Sequence, residues 1–165
     1  MKRYAIYLDE KRCIACFACE VHCKTNKGLP VGPSLCEESI EPFLKVKGIP
    51  KTFFRFRSCH HCEDPHCVAV CPTGAMQKRE KDGIVFVDQE KCVGCMLCAV
   101  ACPWNIPEYN PATGKAVKCD YCMDRVDQGL EPACVTKCTT HALQFVELSP
   151  ISFKDEFVQG GLYEE

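Results

Sequence analysis

Sixteen of the seventeen cysteines in this 165-residue chain fall into four quartets, and that spacing constrains the fold more than any other feature. The quartets are Cys13, Cys16, Cys19, Cys23; then Cys59, Cys62, Cys67, Cys71; then Cys92, Cys95, Cys98, Cys102; and last Cys119, Cys122, Cys134, Cys138. The first and third read C-x2-C-x2-C-x3-C, while the second widens its middle gap to four residues and the fourth to eleven. All four keep C-x2-C at the front and C-x3-C at the back. A rule that recurs four times in one chain is an internal repeat, and the repeat is organised around whatever the cysteines hold.

Two residues between cysteines let a tight loop aim successive thiolates at adjacent iron corners of a [4Fe–4S] cube. Three such ligands nearly encircle the cube, so a cysteine three residues further on points away and serves a neighbouring cube, as in the runs of bacterial two-cluster ferredoxins. Runs of this kind come in pairs, and four runs imply four clusters. Disulfides fit poorly: the count is odd, gaps of two are badly placed for bridging, and residues 1–10 are too short and too charged for a secretory leader. Structural zinc uses paired C-x2-C knuckles and leaves the third cysteine of Cys13, Cys16, Cys19 or of Cys92, Cys95, Cys98 without a purpose. Cys36 stands outside every quartet and reads as a buried thiol behaving as a small apolar residue.

The hydrophobic fraction of 47% includes those seventeen cysteines, so the aliphatic and aromatic core is thin for this length. The clusters must supply the missing core, and the chain without them is expected to be largely unfolded. Twenty basic against twenty-two acidic residues give a net charge of −2, which indicates no nucleic-acid-binding stripe. No apolar run approaches the roughly 18 residues of a membrane span.

Strand-like runs flank the motifs at 4–8, 52–56, 84–87, 115–118 and 142–148, with turn signals at Lys81-Asp82-Gly83 and Asn110-Pro111-Ala112-Thr113-Gly114. Each unit reads as strand, cluster loop, short helix, strand. Proline indicates which runs pair. Cys71-Pro72 and Cys102-Pro103 carry the Cys-Pro step of the bacterial run, whereas Cys23-Lys24 and Cys138-Thr139 do not. The second run therefore pairs with the third, and the first with the fourth.

The expected fold is α+β and loop-rich: tandem two-cluster ferredoxin-like modules with pseudo-two-fold symmetry, one inserted within the other. A single domain over 1–165 would comprise an outer module (1–24 plus 115–148), an inner module (52–106), an insertion (24–57) and a tail (149–165). The insertion holds Gly28, Pro30, Gly32, Pro33, Pro42, Gly48 and Pro50, so it reads as either an extended surface loop or a partner-docking arm. Phe153 and Phe157 in the tail sit at helical spacing. His60, His61 and His66 lie inside the second run. A Rieske-type centre uses two histidines, but four cysteines are already available there, so these imidazoles read as neighbours of the cluster. Glu63 and Asp64 would lower the potential of that cluster. No nucleophilic triad and no glycine-rich phosphate loop are legible, which leaves electron transfer.

Over residues 9–148 the chain resembles the four-cluster ferredoxin-like subunits of molybdenum and tungsten oxidoreductases, the dimethyl sulfoxide reductase, formate dehydrogenase and polysulfide reductase group. The stretch Cys59-His60-His61-Cys62-Glu63-Asp64-Pro65-His66-Cys67 through Cys71-Pro72-Thr73-Gly74-Ala75 carries the resemblance. So does the segment from Cys119 to Cys138, with Asp124-Arg125 and Pro132-Ala133-Cys134. The resemblance implies a first cluster on Cys13, Cys16, Cys19 and Cys138, and a second on Cys119, Cys122, Cys134 and Cys23. It implies a third on Cys59, Cys62, Cys67 and Cys102, and a fourth on Cys92, Cys95, Cys98 and Cys71. Cys95 is intact, where some relatives lose a cysteine and hold a three-iron cluster. The chain lacks the larger insertions and the anchor helix of the membrane-complex members.

What the resemblance implies is a cytoplasmic electron-transfer subunit without a catalytic site, bound to a molybdenum- or tungsten-pterin catalytic subunit and to a further redox subunit, with self-association possible. The competing readings are a free polyferredoxin shuttling between enzymes and a zinc-stabilised interaction module. The segment 24–57 favours the docked subunit, because a shuttle gains little from an extra arm.

Overall fold

A computed structural model of the protein describes residues 2–46 and 48–148. The tail residues Phe153 and Phe157 lie outside the described residues. Eight short strands and five helices alternate along the described chain, so the architecture is α+β, and the strands form four separate antiparallel pairs rather than one sheet.

The outermost pair joins the two ends. β1 (Tyr4–Leu8) runs antiparallel to β8 (Leu143–Glu147), with Tyr4 opposite Glu147 and Leu8 opposite Leu143. Tyr4 stacks on Phe145 at 4.7 Å between ring centroids, a same-face aromatic contact that stabilises such a pair by up to about 1 kcal/mol. Between these ends lie two tight hairpins: β4 (Met76–Lys78) with β5 (Val85–Val87), and β6 (Glu108–Asn110) with β7 (Lys115–Val117). Their connections are the two turns legible in the sequence, with Gly83 and Gly114 at positive φ.

The segment 24–57 differs from its loop-like expectation. α1 (Ala18–Lys27) continues past Cys23 and ends at Gly28 in the left-handed conformation, whose N–H caps the carbonyls of Lys24 and Thr25. The longest hairpin among the described residues follows, β2 (Glu37–Val46) against β3 (Ile49–Arg57). Its register shifts between Glu41 and Leu44, and this irregularity accommodates Pro42, which cannot donate to a regular ladder. β3 extends the strand legible at 52–56. β2 has no such signature because its pattern is inverted: Glu38 is buried and Ile40 exposed. The hairpin is anchored, with Leu35, Cys36 and Glu38 all buried at its base.

The remaining helices are about one turn each: α2 (His66–Ala69), α3 (Leu97–Ala101) and α5 (Ala133–Thr136) carry the third cysteine of their runs, and α4 (Met123–Val126) follows Cys122. α1 packs on α5, and Lys27 reaches across to Asp120 at 2.8 Å and to Asp124 at 3.3 Å, fastening the first run to the fourth. Among the described residues no helix is long and apolar enough to cross a membrane.

Candidate iron–sulfur sites

The four runs share one local backbone device. The residue immediately before the second cysteine of each run, Ala15, His61, Gly94 and Tyr121, is in every case left-handed, with φ of 51, 44, 72 and 52°. That kink turns the C-x2-C loop concave, so the two flanking thiols face one volume. A second device follows the last cysteine: Gly74, Asn105 and His141, each three residues beyond Cys71, Cys102 and Cys138, also have positive φ. The chain then re-enters a strand whose N–H groups point back at sulfur. Met76 donates to Cys71 Sγ at 3.3 Å and Leu143 to Cys138 Sγ at 3.4 Å, five residues on in both cases. The first run departs from this, because α1 carries the chain straight on beyond Cys23.

The structure places cysteines from distant runs near one another. Cys13, Cys16, Cys19 and Cys138 line one cavity of about 320 Å³, part of it open to solvent, whose wall also includes Leu8, Glu38 and Phe56. Cys62 and Cys67 both lie within electrostatic reach of Cys59 and Cys102. Cys122 lies within reach of Cys134, and Cys98 within reach of Cys92 and Cys95. Cys71, Cys92 and Cys98 pack in one apolar cluster with Met76 and Val85. Cys23 and Cys134 share the other cluster with Cys19, Cys36, Cys59 and Cys119. Among the described residues no three His, Cys, Asp or Glu side chains converge as closely as a single metal ion requires. Thiolates on a cube each take a different iron and so surround a volume instead of a point.

Burial pushes several of these thiols upward: Cys13, Cys67 and Cys122 each rise to about 11. At Cys13 the Glu38 carboxylate adds to burial, accepting the thiol at 3.0 Å; it also accepts from Cys19 at 3.3 Å. Cys71 is shifted the other way. Burial opposes its ionisation, but donors from Met76, Thr73 and Ala75 outweigh it. Backbone N–H groups aimed at sulfur stabilise thiolate and bound cluster alike.

Cys36 is 3% exposed, as expected of a buried thiol, yet it is not merely apolar filling. It touches the carbonyl of Cys19 at 3.7 Å and donates toward Cys23, and this hydrogen bond is the main cause of the lowering at Cys23. Of the histidines in the second run, His60 and His66 are exposed and His61 is buried. Val85 N–H donates to His61 Nδ1 at 2.8 Å, which puts the proton of the neutral ring on Nε2. Nε2 is buried without a partner among the described residues. Burial and then the charge of Lys118 push this imidazole well below its ordinary value, so it stays neutral. An orphaned donor beside Cys59 and Cys62 fits a sulfur-rich acceptor there, and thiols, N–H donors and orphan together suit iron–sulfur clusters. No signal in the sequence separated His61 from His60 and His66, or marked Glu38 and Lys118.

These thiol groups and this fold define an iron–sulfur protein of the ferredoxin-like class. The family described as 4Fe-4S dicluster domain matches residues 50–148. The chain is 41% identical over 150 residues to the B subunit of the anaerobic dimethyl sulfoxide reductase of Escherichia coli strain K12, covering 87% of this chain and 73% of that protein. It is 45% identical over 149 residues to the thiosulfate reductase electron transfer subunit of Salmonella typhi, covering 88% and 77%. With the B subunit of the anaerobic dimethyl sulfoxide reductase of Haemophilus influenzae it shares 37% over 164 residues, 93% and 78% of the two proteins. The protein belongs to this family of iron–sulfur subunits: it is an electron-transfer component of an oxidoreductase and not a catalytic subunit.

Proposed function

We propose that the chain holds four [4Fe–4S] clusters and relays electrons between a molybdenum- or tungsten-pterin catalytic subunit and a second redox partner. The ligand sets are Cys13, Cys16, Cys19 with Cys138; Cys119, Cys122, Cys134 with Cys23; Cys59, Cys62, Cys67 with Cys102; and Cys92, Cys95, Cys98 with Cys71. The clusters would form two modules, an outer one from the first and fourth runs and an inner one from the second and third. Clusters bound in this order accept and release single electrons, so the chain conducts without a mobile carrier.

The observation that carries the reading is where the chain exposes sulfur. Of the seventeen cysteines only Cys16 and Cys95 are exposed, one in the first run and one in the third. Each has exposed apolar side chains within five residues of it: Ile14, Phe17 and Val21 near Cys16, and Val93, Leu97 and Val100 near Cys95. Two cluster edges, each with exposed apolar neighbours in sequence, suit two docked partners better than a free shuttle, which needs only one. By resemblance the Cys16 end faces the catalytic subunit. Anaerobically purified protein should carry about sixteen irons, four per cube, and little zinc. Iron near eight, or stoichiometric zinc, overturns the four-cluster reading. Pull-down from anaerobic extract should recover a pterin-containing subunit, and Cys16→Ser should stop its exchange of electrons with the far-end partner.

A further inference from the structure

The inner and outer runs meet at one residue, Val85. Val85 N–H donates to His61 Nδ1, and Val85 C=O accepts from Lys118 Nζ. Lys118 also donates to the Cys119 carbonyl at 2.6 Å. Its side chain is buried, with the residue only 5% exposed. Among the described residues no carboxylate pairs with it. A buried ammonium held only by two neutral carbonyls is strongly unfavourable unless an anion lies nearby. The first carbonyl belongs to Val85, which packs in one cluster with Cys67 and Cys71, and the second belongs to Cys119 itself, so its charge acts on the thiols of Cys62, Cys67 and Cys119 and on the His61 imidazole.

We propose that Lys118 is the fixed cation of the electron step between the two modules. Its ammonium takes as counter-charge the anionic cluster at Cys59, Cys62, Cys67 and Cys102, and holds that cluster's reduction potential up. The inference rests on the ligand sets proposed above. Whichever way electrons run, one cluster is oxidised by one electron as the other is reduced, and no bond forms or breaks at Lys118. A positive charge beside the inner cluster stabilises its more negative, reduced form. The same ammonium is hydrogen-bonded to the Cys119 carbonyl of the outer set, so it also lowers the electrostatic cost of having both clusters reduced together. Lys118 is thus a positioning charge, and its substitution should act on potential rather than on cluster count.

The test is a redox titration of the purified holoprotein followed by electron paramagnetic resonance. Lys118→Met should keep about sixteen irons and lower the reduction equilibrium constant of one cluster at least tenfold, about 59 mV for a one-electron couple. Lys118→Arg should stay within a factor of three of the parent. Protein labelled with 15N at the lysine side-chain nitrogen should show a nitrogen coupling to one reduced cluster, absent from labelled Lys118→Arg. Full iron with unmoved potentials in Lys118→Met overturns the proposal, as does no coupling in the labelled parent. Where Lys118→Met loses iron, the labelled parent decides alone. A parent holding fewer than four clusters would instead defeat the four-cluster reading, a separate outcome.

Discussion

The imidazole of His61 stacks on the phenol ring of Tyr121 with centroids 3.8 Å apart and planes tilted by 41°. The two residues occupy the same place in the second and fourth runs, immediately before the second cysteine, and both are left-handed. In the first and third runs that place holds Ala15 and Gly94, which are too small to reach across. The stack is therefore a contact between corresponding points of two repeats, and it buries Tyr121 against Phe145 of β8 at 5.4 Å. It joins the pair β1–β8 to the inner run.

Separating the two functions of His61 is straightforward. His61→Phe keeps a ring on Tyr121 but leaves Val85 N–H without its acceptor, and should cost about 1–3 kcal/mol. Tyr121→Leu removes the aromatic contact and should cost about 1 kcal/mol beyond the lost area. Anaerobic denaturant unfolding of the holoprotein measures both. Equal stability of His61→Phe and the parent would mean the Val85 bond contributes nothing.

Crossing between distant runs is tested by the last cysteines. Cys138→Ser should damage the cluster of Cys13, Cys16 and Cys19, and Cys71→Ser that of Cys92, Cys95 and Cys98. Each should lose about four of roughly sixteen irons. Cys36→Ser should keep full iron, since serine retains a donor toward Cys23. Spectra in which Cys71→Ser perturbs the signal of its own run would sink the arrangement.

Glu38 makes assembly at the first site depend on pH. Burial and then Glu38 raise Cys13 from 9.0 to about 11. For the cluster-free chain, this raised thiol contributes stability that is fully present below pH 9 and lost as pH rises through about 11. Loading a cluster has the opposite sign, because the thiol must lose its proton, so reconstitution should strengthen as pH rises from neutral. Glu38→Gln removes the carboxylate charge from beside two thiols. It should assemble the first cluster at lower pH and raise that cluster's potential. Reconstitution followed by absorbance across a pH series reads both slopes, and parallel profiles for parent and variant would contradict this role.

Gly94 and Gly74 form a matched pair. Both have positive φ, +72 and +64°, but a Cβ on Gly94 would sit 2.0 Å from the Gly114 carbonyl oxygen, whereas one on Gly74 meets nothing within 4 Å. Gly74→Ala should therefore cost only the left-handed strain, about 1–2 kcal/mol. Gly94→Ala adds a backbone clash that pushes the β6–β7 hairpin off the third run, and should lose that run's cluster. Iron content and thermal unfolding of the two variants, compared directly, check the difference.

The sequence alone determined the repeat, its sixteen cysteines and the class of cofactor, because C-x2-C and C-x3-C spacings act through a few adjacent dihedrals. It also carried β1, β3, β5, β7 and β8 and the turns at Gly83 and Gly114, whose signals lie within single short runs. β2 was hidden by its inverted pattern, with Glu38 inward toward two thiols and Ile40 outward. Only the tertiary structure decided which of three histidines is buried and what Cys36 touches. It alone joined Lys118 to the carbonyls of Val85 and Cys119. These depend on contacts between residues as far apart as His61 and Tyr121, and a distance between two loops is set by packing rather than by the spacing within either one.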